Sequence, residues 1–173
     1  MSWPMKKLVS RFLGEHLVNC EVHDEHSLKG MFAYDPLKNP QNRNAPTPRP
    51  DFVITRGSRI AAVLDAKYRD LWGRALPPSM LYQLAIYALG HNRVERRAAI
   101  IYPTVNPQAA EQSITIQESV KGAVQARVDL RPVNLLLLNE MLQAGSGLEA
   151  WRRKVQFARQ LAFGALSNEL VYD

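Results

Sequence analysis

Three side chains near the middle of the chain have the types and spacing for phosphoryl chemistry: Asp51, Asp65 and Lys67. Asp51-Phe52-Val53-Ile54-Thr55 is rich in strand formers, Arg56-Gly57-Ser58-Arg59 turns the chain, and Ile60 to Lys67 runs back, the pattern of a β-hairpin. Residues two apart on a strand point the same way, so Asp65 and Lys67 share a face and Ala66 points to the other. A hairpin folded about Gly57-Ser58 sets Asp51 across from that end. Two carboxylates so close repel each other unless a cation lies between them. Magnesium suits the role, because it is held by one or two carboxylates while waters and substrate phosphate complete its octahedron. A metal on a phosphate oxygen stabilises developing charge, and a lysine beside it orients or deprotonates water, or stabilises the transition state. These parts fit phosphodiester hydrolysis. They fit acyl transfer poorly, since no Ser or Cys nucleophile has a natural His partner here.

An Asp-x-Lys pair alone is common and is usually a solvated edge pair. The run before this one, Ile60 to Leu64, is apolar throughout, as in a strand buried on both faces. A carboxylate and an ammonium at the end of such a strand are costly unless used or paired.

The elements that must position these groups can be read outward from the hairpin. Met5 to Val18 reads as a helix, with Leu8, Phe12 and Leu13 on one face and Lys6, Lys7, Arg11 and Glu15 towards water. Asp35 to Pro50 carries five prolines and three asparagines and reads as a long exposed loop, of a length often functional. A second loop spans Leu71 to Pro78. Ser79 to Leu89 is a helix, with Ser79 as N-cap and Gly90 as its stop. Ala98 to Pro103 has the pattern of a buried central strand. Ser113 to Gln117 and Ala123 to Leu130 are further strands. Val133 to Gln143 and Leu148 to about Gly164 are the closing helices. This order predicts an α/β (α+β) domain spanning residues 1–173, a mixed central sheet flanked by helices.

Composition agrees with a globular protein: 173 residues, 46% hydrophobic and 22% charged. No apolar run approaches the roughly 20 residues of a membrane span, and the opening lacks the apolar core of a signal peptide. The expectation is a cytoplasmic chain with no membrane partner. Cys20 is the single cysteine, so it is expected as a small buried hydrophobe and not in a disulfide. The net charge of +6 favours a polyanionic partner. His16, His23 and His26 match no known zinc spacing. Arg93, Arg96 and Arg97 form one basic group, and Arg152, Arg153, Lys154 and Arg159 another; solvated faces are the simple reading, and phosphate contact is the reading if the site is a nuclease. Trp151, Phe157 and Phe163 read as core, and Leu135 to Leu138 as core or a partner surface.

Pro50-Asp51, then Asp65-Ala66-Lys67, then Gln83-Leu84-Ala85-Ile86-Tyr87 resemble, in order and spacing, the PD-(D/E)xK nuclease motif with its Gln-x-x-x-Tyr extension. Gln83 and Tyr87 share one helical face. The wider strings from Arg49 to Tyr87, and the opening Trp3-Pro4-Met5-Lys6-Lys7-Leu8, are similar to the nuclease domain of McrC-like restriction subunits. The resemblance implies a restriction-endonuclease-like fold with a four-stranded mixed core sheet. It also implies Mg²⁺ (or Mn²⁺) dependence and cleavage of DNA in a McrBC-like restriction or phage-defence system. It makes Asp51 and Asp65 metal ligands, aided by the backbone carbonyl of Ala66, and Lys67 the catalytic lysine. Gln83 and Tyr87 support the site or touch the DNA backbone. Arg49, Tyr68 and Arg69 are the candidate DNA contacts. An AAA-type GTPase or ATPase subunit is the implied partner, and a homodimer is one arrangement for cutting both strands. One position departs from the pattern. Where McrC-like chains often carry a Glu on the first helix, this chain has Leu8-Val9-Ser10. Glu15 is the stand-in considered, about 140° away around the helix. A nuclease fold that has lost this acid could instead bind nucleic acid or a protein without cutting.

Overall fold

A computed structural model describes residues 4–90 and 96–165. Helix α1 (Pro4–His16) leads into strand β1 (Glu21–Asp24). The hairpin comes next as β2 (Phe52–Arg56) and β3 (Arg59–Ala66), then helix α2 (Pro78–Gly90) and strands β4 (Arg97–Thr104), β5 (Gln112–Gln117) and β6 (Val124–Asn134). Helices α3 (Leu135–Gln143) and α4 (Leu148–Phe163) close the described chain. The six strands form one sheet in the order β1-β2-β3-β4-β6-β5. β3, β4 and β6 are mutually parallel, and the other neighbours are antiparallel. The mixed sheet flanked by helices is the architecture expected. β2, β3, β4 and β6 make the four-stranded mixed core, and β1 and β5 extend it at its two edges.

Alternation along the central strands builds two cores. Phe52, Ile54, Ala62, Leu64, Ala99 and Ile101 face α1, α3 and α4. Val53, Val63, Ala98, Ile100 and Tyr102 face α2. A strand covered on both faces has no polar side to show, which is why β3 and β4 read as continuous apolar runs.

The sequence-based reading missed β1. Its only aliphatic residue is Val22, and its residues are half-buried or exposed, as befits an edge strand. Two boundaries also move. Ser79 lies inside α2 and does not cap it: the carbonyl of Pro77 accepts from Met80 N–H (3.0 Å) and Leu81 N–H (3.2 Å), and Pro78 opens the helix. β6 runs on through Val133 to Asn134, whose side chain then caps α3 by accepting from Leu136 and Leu137 N–H. Residues 35–50 remain a loop except for a 3-10 turn at Pro36–Lys38, capped by Asp35. Cys20 is half-buried, with Arg56 Nη2 3.9 Å from its Sγ.

The hairpin turn needs glycine. Arg56 pairs with Arg59, leaving Gly57-Ser58 as a two-residue loop, and Gly57 has φ +59° while Ser58 stays at negative φ. A positive φ at the first loop position alone is the signature of a type II′ turn. Nothing lies within 4 Å of a Cβ added there, so Gly57→Ala should cost only the backbone strain, about 1–2 kcal/mol. Urea unfolding measures this; an unchanged midpoint would mean that the turn adopts another form.

Candidate functional site

The hairpin register fixes where the carboxylates meet. Phe52 pairs with Leu64 and Val53 with Val63, so Asp65, the next position on β3, shares the α2 face with Val63, and Asp51, just before β2, comes beside it. Asp51 Oδ2 accepts the Ala66 N–H at 2.8 Å, which ties the two strand ends together. On the other side of β3, Lys67 N–H donates to the Ile101 carbonyl at 2.9 Å, carrying the parallel pairing with β4 one residue beyond the strand. Lys67 therefore continues the alternation of β3, and its ammonium forms an ion pair with Asp65. The N–H and C=O of one strand residue point to the same side, so the Ala66 carbonyl is directed towards the Asp51 side.

Asp65 is buried, with 5% of its surface exposed. Burial raises its pKa above the ordinary carboxylate value; the Lys67 ammonium opposes that shift and the neighbouring Asp51 carboxylate adds to it. Its Oδ2 is met by the Lys67 ammonium. A buried carboxylate that faces a second carboxylate fits a hard divalent cation. Among the described residues no set of three or more His, Cys, Asp or Glu side chains converges as metal ligands; the groups that could hold an ion here are the Asp51 and Asp65 carboxylates and the Ala66 carbonyl.

Helix α2 covers this face. Gln83 Nε2 donates to the Tyr87 hydroxyl at 2.8 Å. Tyr87 is buried, and its pKa is raised by burial first; Gln83 and Lys67 oppose the shift, while the charges of Asp65 and Asp51 add to it. The phenol thus lies within electrostatic reach of all three motif residues. Tyr68 and Arg69 come after Lys67 at the rim, Tyr68 66% exposed with the Arg69 guanidinium 5.4 Å from its ring centre. Arg49 is exposed and close enough to Glu25 to hold its carboxyl low, after the larger effect of Lys6.

Glu15 is not brought to the site. It forms an exposed ion pair with Arg11, 2.7 Å away and one turn back, and the charges that act on it are those of Arg11, His16 and Lys154. The first helix instead delivers Lys6, one turn before Ser10 and on the same helical side. Lys6 Nζ lies 2.6 Å from Asp51 Oδ1 and 2.9 Å from Glu25 Oε1. Burial alone would lower the Lys6 pKa, but hydrogen bonds and charge from Asp51 and Glu25 hold it above the ordinary lysine value. Ser10 donates to Asp24 Oδ1 at 2.6 Å, and Glu25 N–H donates to the Asp51 carbonyl at 2.9 Å. Sequence reasoning missed Lys6, Asp24 and Glu25. The signal for Lys6 was its i−4 spacing from Ser10; Asp24 and Glu25 were hidden because β1 itself was not recognised.

The remaining expectations fall elsewhere. His16 Nδ1 lies 2.8 Å from the Phe12 carbonyl, and His23 Nε2 lies 3.0 Å from Thr55 Oγ1. Arg97 is committed to buried Asp129, and Lys154 donates to the carbonyls of Ala144 and Gly145 behind α3. Phe157 is buried but Trp151 is 45% exposed, and of Leu135 to Leu138 only Leu138 is buried. Arg93 and Trp3 lie outside the described residues. No helix among the described residues is long and apolar enough to cross a membrane.

No family model matches the sequence, and no curated protein matches it. Among solved structures, the chain is similar to a chain of an assembly of Thermococcus gammatolerans McrB AAA+ hexamers with bound McrC. The identity is 18%, the TM-score 0.52, and the match covers 90% of this chain but 32% of that one. At that identity the likeness establishes the fold, a mixed sheet flanked by helices of the restriction-endonuclease-like kind.

Proposed function

We propose that this chain is a metal-dependent nuclease that hydrolyses DNA phosphodiester bonds in a McrBC-like restriction system. The observation that carries the reading is the meeting of Asp51, Asp65 and Lys67 at one end of the β2–β3 hairpin, where a buried Asp65 carboxylate faces both a second carboxylate and the Lys67 ammonium. Asp51, Asp65 and the Ala66 carbonyl would hold Mg²⁺ or Mn²⁺. When bound, such an ion polarises the phosphate and lowers the pKa of bound water. Lys67, a fifth exposed, would turn the N–H donors not engaged by Asp65 to a phosphate oxygen or the attacking water. Gln83 and Tyr87 brace this face from α2, and Arg49, Tyr68 and Arg69 lie at the rim where a backbone would pass. The fold likeness supports McrC as the counterpart of this chain, and hence an AAA+ partner, because McrC is the component bound to McrB hexamers in that assembly.

One observation favours a second reading, a nucleic-acid or protein-binding module without activity. The first helix offers the site a lysine where an acid was expected. Purified protein, alone and with an AAA+ partner, incubated with supercoiled plasmid and with RNA in Mg²⁺ or Mn²⁺, separates the readings. Nicking of DNA that Asp65→Asn removes is the expected result. Cleavage that persists in Asp65→Asn would overturn the site assignment, and DNA binding without cleavage in either ion would favour the second reading.

A further inference from the structure

We infer that Lys6 is a built-in counter-ion that competes with the divalent cation for Asp51 and is released to substrate phosphate when the metal binds. This rests on the reading of Asp51 as a metal ligand. Both oxygens of Asp51 are occupied: Oδ2 by the Ala66 N–H at 2.8 Å, Oδ1 by the Lys6 ammonium at 2.6 Å. The same ammonium reaches Glu25 at 2.9 Å, so it bridges two carboxylates from β1 and the start of β2 as a small cation would. It is not a loose surface contact, since the Lys6 side chain is 15% exposed. Glu25, Asp51 and Asp65 carry three negative charges against the two positive charges of Lys6 and Lys67, a near balance. A divalent ion added to that set leaves it in positive excess, and an ammonium on the oxygen the ion needs repels it directly.

Lys6 is free to leave without disturbing the ligands. It stands on α1, whereas Asp51 and Asp65 belong to the hairpin, and its charge ends a flexible four-carbon stem. The group that would accept it is an anion arriving with the metal, and a nucleic-acid phosphate is one. Metal and nucleic acid would then bind with positive coupling through this side chain, each favouring the other by the same factor.

The test is Mn²⁺ binding by titration calorimetry to the wild type, Lys6→Met, Lys6→Arg and Asp65→Asn, alongside binding of a DNA oligonucleotide in chelator and in Ca²⁺. Lys6→Met should bind Mn²⁺ about 5- to 10-fold more tightly than wild type, within the usual range of coupling between neighbouring sites, and should lose the gain in oligonucleotide affinity that the ion gives wild type. Lys6→Arg keeps the charge and should bind the ion as wild type does. Mn²⁺ affinity in Lys6→Met that is equal to or weaker than wild type overturns the inference and leaves Lys6 as a strut between α1 and β2. The nuclease reading survives that result as long as wild type binds Mn²⁺ and Asp65→Asn does not. If wild type binds no ion, or Asp65→Asn binds it equally well, both fall together.

Discussion

Lys67→Met should lower DNA cleavage by about 10²–10⁴-fold, the range for losing a positioned acid–base or charge-stabilising group, and should also destabilise the fold. The second effect is a consequence of burial. Asp65 keeps 7% of its side-chain surface and Lys67 20%, and the Lys67 ammonium is the cation that meets Asp65 Oδ2. Removing one partner of a fully buried pair costs about 3–5 kcal/mol. The partial exposure of Lys67 and the ability of Asp65 to take up a proton reduce this to about 2–3 kcal/mol. Asp65→Asn in the same background removes the stranded charge, so the double variant should regain most of the stability while remaining inactive. Urea unfolding of the single and double variants, with plasmid nicking in parallel, separates the two roles. A Lys67→Met protein as stable as wild type would show that the pair is not coupled in the folded state. One that still cuts would remove Lys67 from the chemistry.

The second large effect lies on the opposite face of the sheet. Arg131→Met should cost about 2–3 kcal/mol, because it removes charge-assisted hydrogen bonds from a buried cluster in which Arg97 still pairs with Asp129. The Arg131 guanidinium, 6% exposed, donates to Asp129 (3.0 Å), to Glu111 (3.0 Å) and to the carbonyls of Leu161 (3.1 Å) and Ala162 (2.7 Å) at the end of α4. Asp129 is fully buried and also receives Arg97 (2.7 and 3.0 Å) and the Ser113 hydroxyl (2.7 Å). The exit of the chain is built around this knot: Gly164 has φ +85°, and a Cβ there would come 2.7 Å from Glu111 Oε1 and 3.2 Å from Arg131 Nη2. Such a loss is a large share of the roughly 5–15 kcal/mol that holds a typical domain. Thermal melting should show it, and hydrogen exchange should place the loss of protection first in α4 and β6. Unperturbed melting in the variant would mean that hydrophobic contacts of Phe157, Ala158 and Leu161 anchor α4 alone. Mn²⁺ affinity, measured below the melting transition, should not change, since the knot touches none of Asp51, Asp65 and Lys67.

The hairpin was legible because its cues are local. Alternation, the Gly57-Ser58 turn and the apolar run into Asp65 lie within one short stretch; the two-residue loop alone would set Asp51 opposite Leu64, and a bulge at Ala61 shifts the pairing by one residue so that Phe52 meets Leu64 and Asp51 comes to Asp65. Strand β4 was legible for a related reason: covered on both faces, it had to be apolar throughout. β1 was not legible, because an edge strand of Glu21, Val22, His23 and Asp24 carries no pattern of its own and exists through its pairing with β2. The extension of β6 through Pro132 and Val133 was hidden in the same way, since its parallel pairing to Tyr102 and Pro103 decides it.

The sequence by itself therefore determined the class of fold and the shared side of Asp65 and Lys67 on β3, consequences of short-range period, while the bulge that brings Asp51 to them was not legible. Tertiary structure alone decided what surrounds them. Helix α1 turns Lys6 and not Glu15 towards Asp51, and β1 brings Glu25 to the same ammonium. The charge at the edge of the site depends on how a helix is rotated against a sheet. Packing of Val9, Phe12 and Leu13 into the core sets that rotation, and no spacing along the chain records which polar residue it leaves facing the hairpin.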